Sequence, residues 1–390
     1  MPYSLSEISK RISTPSYVFD FDEFEERCIE IKKIVGNNIG LCYSMKANPF
    51  FVERIPQSID KIEVCSPGEF CICKFYGVEP CDIFYSGLNK NEEDIDEAIN
   101  YGVHEFTVES KKHLFIINEK ALKYNSVVDV FIRISANTQF GIDFSEVKEI
   151  IRNRENYLGI RIAGIHYFTG TQKQKAQDIV SELEYLSDVV DTIHNECEYD
   201  IEKIEYGTGL YVEYFKNVDD KFEGLKYIGS YLNDFAKKVK LTIEMGRYFS
   251  AHAGKYFTRI DDVKTSQGAN YVIVNGGINQ IVYDGQMRGM KTPSVIHLSD
   301  KEDKWAEDSE SEYTICGSLC TTNDIIVRSY RLSEPRIGDT LVFNNVGAYS
   351  SMEGMSIFLS REIPQIWGVI DNESVLLRDF IDSSEINRRQ

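Results

Sequence analysis

The chain has 390 residues, a formal net charge of -19 at pH 7 and a hydrophobic fraction of 42%. This negative charge argues against nucleic acids and anionic membranes as partners, because both bind basic surfaces. The length favours one large and one smaller domain, with enough apolar residues for a proper core. The acidic residues are spread along the chain, which is typical of a soluble protein with a solvated surface.

The nine cysteines are an odd number and lack the spacing of a disulfide framework. Cys71 and Cys73 form a short pair inside a helical pattern, and no second pair follows, so we expect no metal site. The first residues contain no apolar signal core, and no stretch is long enough to span a membrane. These observations predict a cytoplasmic protein with free thiols.

The predicted elements begin with a strand at residues 15–21 and an amphipathic helix at residues 22–36. Short apolar runs then alternate with helix-period segments such as Asn91–Tyr101, Phe144–Arg152 and Ala176–Glu196. The eight apolar runs lie near residues 39–44, 62–66, 83–87, 105–109, 128–135, 160–168, 202–207 and 240–246. Eight strand–helix units are what an α/β fold of the parallel (β/α)8 TIM-barrel type requires. A doubly wound open sheet is the alternative.

After about residue 256 the pattern changes to β-type runs without long helices between them. These runs are Tyr256–Val263, Tyr271–Asn275, Tyr313–Cys316, Asp324–Leu332, Thr340–Asn344 and Ile363–Ile370. They predict an antiparallel β domain, a sandwich or barrel, which the strand at 15–21 joins. We therefore expect a barrel domain at residues 24–256 and a β domain formed by residues 1–23 and 257–390. The charged stretch Ser299–Glu312 is predicted to be an exposed loop.

Polar residues collect at the ends of six of the eight predicted barrel strands, where the active site of such a barrel lies. Lys46 follows the first strand between the apolar residues Met45 and Ala47, and partial desolvation there would make its amine nucleophilic. The other strand-end residues are Glu63–Glu69, Arg133, His166–Thr171, Gly207–Gly209 and Glu244–Arg247.

The segment Gly207-Thr208-Gly209 can expose backbone N–H groups to an anion, and barrels commonly bind phosphate in the loops after strands 7 and 8. Alone, a Gly-x-Gly is most simply a turn. Together with a strand-end lysine and a strand-end glutamate, it indicates pyridoxal phosphate as cofactor. Lys46 would form the Schiff base, and the glycines would bind the phosphate, with Thr171 and Gly246 nearby. Glu244 would keep the pyridine nitrogen protonated.

These residues resemble the fold-type III pyridoxal-phosphate decarboxylases, the diaminopimelate and ornithine decarboxylase group, over nearly the whole chain. The matching motifs are Tyr43–Asn48, Glu63–Glu69, Gly207–Gly209, Glu244–Arg247, Cys316–Asp324 and Gly347–Tyr349. The resemblance implies an alanine-racemase-like barrel with a β domain, and a head-to-tail homodimer. It also implies that Cys320 and Asp324 reach the active site of the other subunit, that the Cys320 thiol protonates the carbanion, and that Tyr349 contacts the cofactor phosphate.

Three departures from the family pattern concern the substrate. Phe168 stands where many relatives stack a histidine on the cofactor; it can stack but cannot donate a hydrogen bond. Thr321 follows the catalytic cysteine, where diaminopimelate decarboxylases proper carry a glutamate for the distal amino group. The usual arginine-proline after the Gly276–Asn279 segment is missing, and the stretch Tyr283–Pro293, with Arg288, differs in kind from the family pattern. These features resemble decarboxylases of siderophore, antibiotic and carrier-protein pathways, which act on modified or tethered amino acids.

The sequence thus predicts a pyridoxal-phosphate-dependent α-decarboxylase of a modified, conjugated or basic amino acid, with Lys46, Cys320 and Glu244 as catalytic residues. The predicted cofactor-binding residues are Lys46, His166, Phe168, Thr171, Gly207, Thr208, Gly209, Glu244, Gly246, Arg247 and Tyr349. The predicted substrate-binding residues are Arg133, Arg288, Cys320, Thr321, Asp324 and Tyr349.

Three alternatives stay open. The first is diaminopimelate decarboxylation proper, which yields L-lysine. The second is a fold-type III racemase, although such racemases typically place an arginine against the pyridine nitrogen, where this chain offers Glu244. The third is a cofactor-binding protein without turnover, a class that usually consists of the barrel alone.

Overall fold

The computed structural model describes residues 4–215, 221–299 and 310–389. The chain folds into two compact units. The barrel unit comprises Arg27–Val212 and Asp220–Phe249, and the β unit comprises Met1–Glu26, Glu213–Asp219 and Ser250–Gln390.

The chain begins with helix α1 (Leu5–Ser9) and strand β1 (Ser16–Asp20), followed by helix α2 (Phe21–Val35). All five residues of β1 are buried. The buried apolar residues of α2 recur every three to four positions, which places them on one face of the helix; they are Phe21, Phe24, Cys28, Ile31 and Val35.

Eight parallel strands form a closed barrel. They are β2 (Gly40–Ser44), β3 (Lys61–Val64), β4 (Ile83–Tyr85), β5 (Glu105–Val108), β6 (Val128–Arg133), β7 (Ile160–Tyr167), β8 (Lys203–Gly207) and β9 (Lys240–Met245). Every predicted apolar run is one of these strands, so the barrel prediction is confirmed and the open sheet is excluded. A buried cluster of Cys42, Phe84, Phe131 and Ala163 contributes to the core.

Helices connect successive barrel strands, as parallel pairing requires. They are α3 (Pro67–Phe75), α4 (Glu92–Tyr101), α5 (Lys111–Lys123), α6 (Phe144–Arg152), α7 (Ala176–Cys197) and α8 (Glu223–Phe235), with the short α9 (Arg247–Ser250) after β9. Three of these helices begin with a side-chain cap: Ser66, Asn91 and Ser110 each accept a hydrogen bond from a backbone N–H of the first turn. These caps make the turns at the strand ends short and well defined.

The β unit contains a nine-stranded sheet with the order β14-β13-β11-β10-β1-β16-β17, in which β15 pairs with β10 and β12. Its later strands are β10 (Gly254–Ser266), β11 (Ala269–Val274), β12 (Val295–Leu298), β13 (Glu310–Cys316), β14 (Ile325–Ser333), β15 (Thr340–Phe343), β16 (Gln365–Ile370) and β17 (Glu373–Arg378), and the last helix is α10 (Ser384–Asn387). Val18 of β1 packs with Phe257, Val342 and Val369, so the first strand joins this sheet as predicted.

The sheet differs from the predicted one in two respects. It is mainly antiparallel, but β1 pairs with β16, and β11 with β13, in parallel. Two strands, β12 and β17, were not predicted. The hairpin from β16 to β17 turns at Asp371 and Asn372, both of which have positive φ, as a tight primed turn requires. The Asp371-Asn372 pair is the sequence feature from which this hairpin could have been predicted.

The predicted loop Ser299–Glu312 lies largely outside the described residues, which omit 300–309. At its end the prediction is wrong, because Glu310–Glu312 begin β13 and pair with β14. The sequence did not indicate a strand here, because the side chains are charged and exposed. The strand forms through backbone hydrogen bonds to its neighbour β14. Among the described residues, no helix is long and apolar enough to cross a membrane.

Candidate active site

A cavity of about 400 Å³ opens within the barrel unit at the carboxyl ends of the strands. Its lining includes five of the predicted site residues, which are Lys46, Arg133, His166, Phe168 and Glu244. It also includes Glu63, Cys65, Thr169 and Gly170, which the sequence analysis placed at strand ends without giving them a role. The other lining residues were not predicted; they are Ser86, Gly87, Leu88, Glu109, Thr138 and Phe140. The topology therefore brings together side chains from most of the barrel strands.

Lys46 lies in a short 3-10 turn directly after β2, where its neighbours Met45 and Ala47 are buried. The lysine side chain keeps 39% of its surface exposed and points its amine between two carboxylates. It forms an ion pair with Glu63, and its Nζ lies 3.5 Å from Oε1 of Glu244. The amine is thus accessible from the cavity and held in one position.

Glu244, near the end of β9, is a buried carboxylate with several polar partners. Its Oε1 accepts a hydrogen bond from Ser44 Oγ at 2.8 Å, and its Oε2 lies 3.0 Å from His166 Nε2. Burial alone would raise the pKa of Glu244, but the Lys46 cation and the hydrogen bonds from His166 and Ser44 outweigh it and hold the pKa well below its usual range. Glu244 therefore carries a negative charge inside the barrel.

Cys65 extends the Lys46–Glu63 pair on the β3 side of the cavity. Its thiol donates to Oε1 of Glu63 at 3.2 Å and lies 3.7 Å from the Lys46 amine. Burial, reinforced by the Glu63 charge, raises the pKa of this thiol well above its usual range. A Cβ on Gly87 would come within 2.3 Å of the Cys65 carbonyl oxygen, and Gly87 has a φ of +91°, so this close approach requires glycine.

Glu109 and Arg133 form a second polar pair in the cavity. Arg133 Nη1 donates to Glu109 Oε1 at 3.2 Å, and the Gly141 N–H donates to Glu109 Oε2 at 3.3 Å. The Arg133 guanidinium lies over the Phe140 ring, with its Cζ 4.5 Å from the ring centroid. The buried Nε of Arg133 has no hydrogen-bond partner among the described residues. Glu109 directly follows the last residue of β5. From this strand-end position, it could have been predicted as a site residue.

A fully buried lysine, Lys90, lies behind this pair. Its ammonium donates to the Gly87 carbonyl oxygen at 2.5 Å. Burial lowers the pKa of Lys90 to about 8, although the Glu109 charge opposes the shift. Lys90 was not predicted from the sequence, because it lies in the loop between β4 and α4 and belongs to no recognisable motif.

The loops after β7 and β8 approach each other closely. A Cβ on Gly207 would lie 2.5 Å from the Phe168 ring, and one on Gly209 would lie 2.0 Å from the Gly170 carbonyl oxygen. Gly209 also has a φ of +62°. Both positions therefore require glycine, because the two loops pack too closely to leave room for a side chain.

Four further predicted residues lie on these strand ends but outside the cavity lining. Thr171 is exposed on the loop after β7. The buried Thr208 uses its hydroxyl to accept the Leu210 N–H at 3.4 Å. Gly246 packs against Ser44 and Ala47, and Arg247 begins α9 beside it.

The remaining predicted residues belong to the β unit and are not part of this lining; they are Arg288, Cys320, Thr321, Asp324 and Tyr349. Arg288 and Cys320 are exposed, whereas Thr321 and Tyr349 are half-buried. Asp324 is buried, and its two oxygens accept the N–H groups of Ile278 at 2.9 Å and Leu319 at 2.7 Å. Within its unit, Asp324 thus holds the loop that carries Cys320.

The barrel residues fit pyridoxal phosphate. Lys46 offers an accessible amine, Glu244 a buried ionised carboxylate, and Gly207 and Gly209 a backbone segment without side chains beside the loop after β7. Lys46 would hold the aldehyde, Glu244 the ring nitrogen, and the glycine loops the phosphate. His166 stacks near Phe84 and keeps its buried Nδ1 without a partner among the described residues.

The family described as "Pyridoxal-dependent decarboxylase, pyridoxal binding domain" matches residues 21–251. Among curated proteins, the chain is 27% identical to L-glutamyl-[BtrI acyl-carrier protein] decarboxylase of Niallia circulans, covering 92% of this chain and 90% of that protein. It is 26% identical to diaminopimelate decarboxylase of Aquifex aeolicus, with 89% and 84% covered. It is 25% identical to 2-[(L-alanin-3-ylcarbamoyl)methyl]-2-hydroxybutanedioate decarboxylase of Staphylococcus aureus, with 90% and 92% covered.

Solved structures share the fold over nearly the whole chain. Diaminopimelate decarboxylase of Helicobacter pylori superposes with a TM-score of 0.85 at 20% identity, covering 98% of each chain. Lysine/ornithine decarboxylase of Vibrio vulnificus superposes with a TM-score of 0.81 at 18% identity, covering 95% of this chain and 100% of that one.

Proposed function

This chain belongs to the pyridoxal-dependent decarboxylase family, and from that membership we propose that it removes the α-carboxylate of an amino acid with a modified or conjugated side chain. It is a pyridoxal-phosphate-dependent carboxy-lyase of fold type III, and its products are CO2 and an amine. The observation that carries the proposal is the position of Lys46, whose amine faces the cavity between the Glu63 and Glu244 carboxylates.

Bound pyridoxal phosphate withdraws electrons from the bonds at the substrate's Cα. Lys46 would hold the cofactor until the substrate amine takes its place. Glu244, ionised in a buried position, would hold a proton on the ring nitrogen. Arg133 would donate its free Nε–H to an oxygen of the substrate, and the Cys320 thiol would return a proton to Cα after CO2 has left.

The substrate class rests on the polar groups available for the side chain. A substrate with a distal ammonium needs a carboxylate partner, and Thr321, which follows Cys320, offers only a hydroxyl. In the cavity, the Glu109 carboxylate is already paired with Arg133, whereas the Arg133 Nε–H and the Thr138 hydroxyl suit carbonyl or carboxylate oxygens of a substrate. The relatives include a carrier-protein-linked glutamate decarboxylase and a decarboxylase of a hydroxybutanedioate conjugate, and such substrates carry these groups.

The alternatives are diaminopimelate decarboxylation proper, which several relatives perform, and racemisation. The ionised Glu244 disfavours racemisation, because a strongly electron-withdrawing ring favours loss of CO2.

The first test measures CO2 release and product mass from the purified protein with pyridoxal phosphate. The substrates are meso-diaminopimelate, L- and D-lysine, L- and D-ornithine, arginine, glutamate and carrier-linked glutamate. Turnover of only a conjugated or carrier-linked substrate supports the proposal. Turnover of diaminopimelate alone supports the alternative, and racemised substrate without CO2 contradicts decarboxylation.

Residue roles are tested in matched pairs. After borohydride reduction, wild type and Lys237→Ala, which removes a surface lysine, should retain the mass of the cofactor, whereas Lys46→Ala should not. Cys320→Ala should keep the cofactor and lose most decarboxylation, while Cys316→Ala should behave like wild type. An active Lys46→Ala protein, or a Cys320→Ala protein of normal rate, contradicts the assignment.

A homodimer with shared active sites is part of this proposal. Supporting it, the segment from Met352 to Leu359 exposes several large apolar side chains, and Arg361 just after it donates to the Ser318 carbonyl oxygen of the Cys320 loop at 2.8 Å. Such a patch is typical of an interaction surface. Phe358→Asp should give monomers in light scattering, whereas Leu158→Asp, at an exposed leucine of the barrel unit, should not.

Shared sites are tested by mixing Lys46→Ala and Cys320→Ala proteins after dissociation. If each site combines residues from two copies, about a quarter of the wild-type rate should return, because half of the dimers are mixed and each holds one intact site. No recovery would contradict shared sites.

We also propose a cytoplasmic location. None of the nine cysteines, all of which lie in the described residues, forms a disulfide, and Cys71, Cys81 and Cys320 are exposed. Exposed thiols persist in reducing compartments. Cell fractionation should recover the protein with the cytoplasmic markers.

A further inference from the structure

Glu182, on the second turn of α7, accepts hydrogen bonds from three side chains, none of which the proposed chemistry uses. Its carboxylate binds the Thr169 hydroxyl at 2.5 Å, the Lys173 ammonium at 2.6 Å and the Tyr206 hydroxyl at 2.5 Å. Only 14% of the Glu182 side chain and 10% of the Lys173 side chain are exposed, and Tyr206 is fully buried. We call these four residues the Glu182 junction.

The junction connects the loop after β7, residues 168–175, with the end of β8. Thr169 and Lys173 belong to the first loop, and Tyr206 directly precedes Gly207 on β8. The backbones are also joined, because the Lys173 N–H donates to the Gly209 carbonyl oxygen at 2.9 Å. In addition, the Gln172 side chain donates to the Val212 carbonyl oxygen and accepts the Val212 N–H, at 3.2 and 2.8 Å.

The junction also sets the charge near these loops. Burial lowers the pKa of Lys173, while the hydrogen bond to Glu182 opposes this shift. The ion pair neutralises the lysine charge, so the carboxylate acts on the loops as an anchor and not as a source of net charge. Replacing the Glu182 carboxylate would leave the Thr169, Lys173 and Tyr206 donors without their acceptor in a largely buried place. The loops that carry these donors would then shift to find other partners.

We propose that Glu182 is a positioning residue for the phosphate of the cofactor. By fixing the loop after β7 to the end of β8, it sets the spacing between Gly170 and the Gly207–Gly209 segment. This inference rests on the proposed assignment of those glycine loops to the phosphate. The Glu182 carboxylate is bound by Thr169, Lys173 and Tyr206, so its effect is expressed through the loops it holds.

The test compares pyridoxal phosphate with pyridoxal, which lacks only the phosphate. Both are titrated into cofactor-free wild type, Glu182→Gln, Tyr206→Phe and Glu184→Gln, and binding is followed by the absorbance of the cofactor. Glu184 is exposed on the same helix and serves as the matched control. The melting temperature of each cofactor-free variant is recorded, and Tyr206→Phe removes one junction hydrogen bond without changing charge.

For Glu182→Gln, we expect the Kd for pyridoxal phosphate to rise about tenfold, equivalent to about 1.4 kcal/mol, while the Kd for pyridoxal stays near the wild-type value. Tyr206→Phe should shift in the same direction by less, and Glu184→Gln should match wild type.

If Glu182→Gln binds pyridoxal phosphate and pyridoxal more weakly to the same degree, Glu182 has a general structural role and the inference is overturned. Unchanged affinity for both compounds would also overturn it. If wild type itself fails to prefer pyridoxal phosphate over pyridoxal, the glycine loops do not hold the phosphate. In that case the assignment on which the inference rests fails. If wild type and Glu182→Gln both prefer pyridoxal phosphate over pyridoxal to the same degree, the role of Glu182 is wrong, but the assignment of the glycine loops to the phosphate stands.

Discussion

His166 Nε2 lies 3.0 Å from Oε2 of Glu244, although the two residues belong to strands separated by β8. Glu244 is also bound by Ser44 and lies near Lys46. These partners let a carboxylate remain ionised in the barrel interior, where an isolated charge would be strongly disfavoured. Glu205, two residues before Gly207 on β8, is also buried, and its pKa shifts in the opposite direction. Its burial, together with the Glu244 charge, raises its pKa well above the usual range.

Substitutions at Glu244 and Glu205 can distinguish the effect of the carboxylate charge on catalysis from the effect of side-chain size. Glu244→Gln preserves the size and removes the charge, and we expect kcat to fall by about 10²–10³-fold, as for loss of one fixed electrostatic contact. Glu205→Gln replaces a carboxyl group that favours the uncharged form, so its kcat should stay close to wild type. Steady-state kinetics and cofactor absorbance measure both variants. An equal loss in the two would contradict a special role for the Glu244 charge.

Lys90 predicts a defined pH dependence of stability. Its pKa is lowered from 10.5 to about 8 in the folded protein. Between these values the unfolded chain binds more protons, so the free energy of unfolding of wild type should rise with pH relative to Lys90→Met, by about 3 kcal/mol over the window. Urea unfolding at pH 7.5 and pH 10.5 measures the difference. Lys237→Met, which removes an exposed lysine, should show none, and a flat difference for Lys90→Met would refute the prediction.

Gly207 and Phe168 predict a steric effect that a second substitution should relieve. In Gly207→Ala the new methyl group would lie 2.5 Å from the Phe168 ring, and such overpacking costs about 1–3 kcal/mol. Pyridoxal phosphate affinity should fall, and Phe168→Leu in the same chain should restore part of it. Gly224→Ala, whose methyl group would meet its nearest neighbour at an ordinary 3.6 Å, is the control. Failure of the double variant to recover would mean that the contact with the Phe168 ring does not cause the loss.

Asp324 predicts how the Cys320 loop is held. Asp324→Asn presents an N–H group where a backbone N–H now donates, so one buried hydrogen bond is lost and the free energy of unfolding should fall by about 1–3 kcal/mol. Amide hydrogen exchange should become faster at Ile278 and Leu319 and across residues 317–324. Asn323→Ala, at the exposed neighbouring position, should leave the exchange unchanged. Unaltered protection in Asp324→Asn would show that other contacts hold the loop.

Local pattern determined the barrel and the outline of its site. Apolar runs followed by helical periodicity identify all eight strands, because each strand of a parallel barrel is buried and each needs a crossover helix. Since parallel strands end on the same side, Lys46, Arg133, His166 and Glu244 could be assigned to one cavity from their positions alone. The strand at 15–21 was likewise recognisable as part of the β domain.

Only the tertiary structure decided which polar groups meet and in which direction their pKa values shift. The pairs Glu109–Arg133 and His166–Glu244, and the junction around Glu182, join residues on different strands and helices. Their contacts depend on closure of the barrel and on the register between strands. Burial then separates Glu244 from Glu205, two carboxylates that look alike in sequence, because desolvation favours the neutral form unless a cation and hydrogen-bond donors lie within reach.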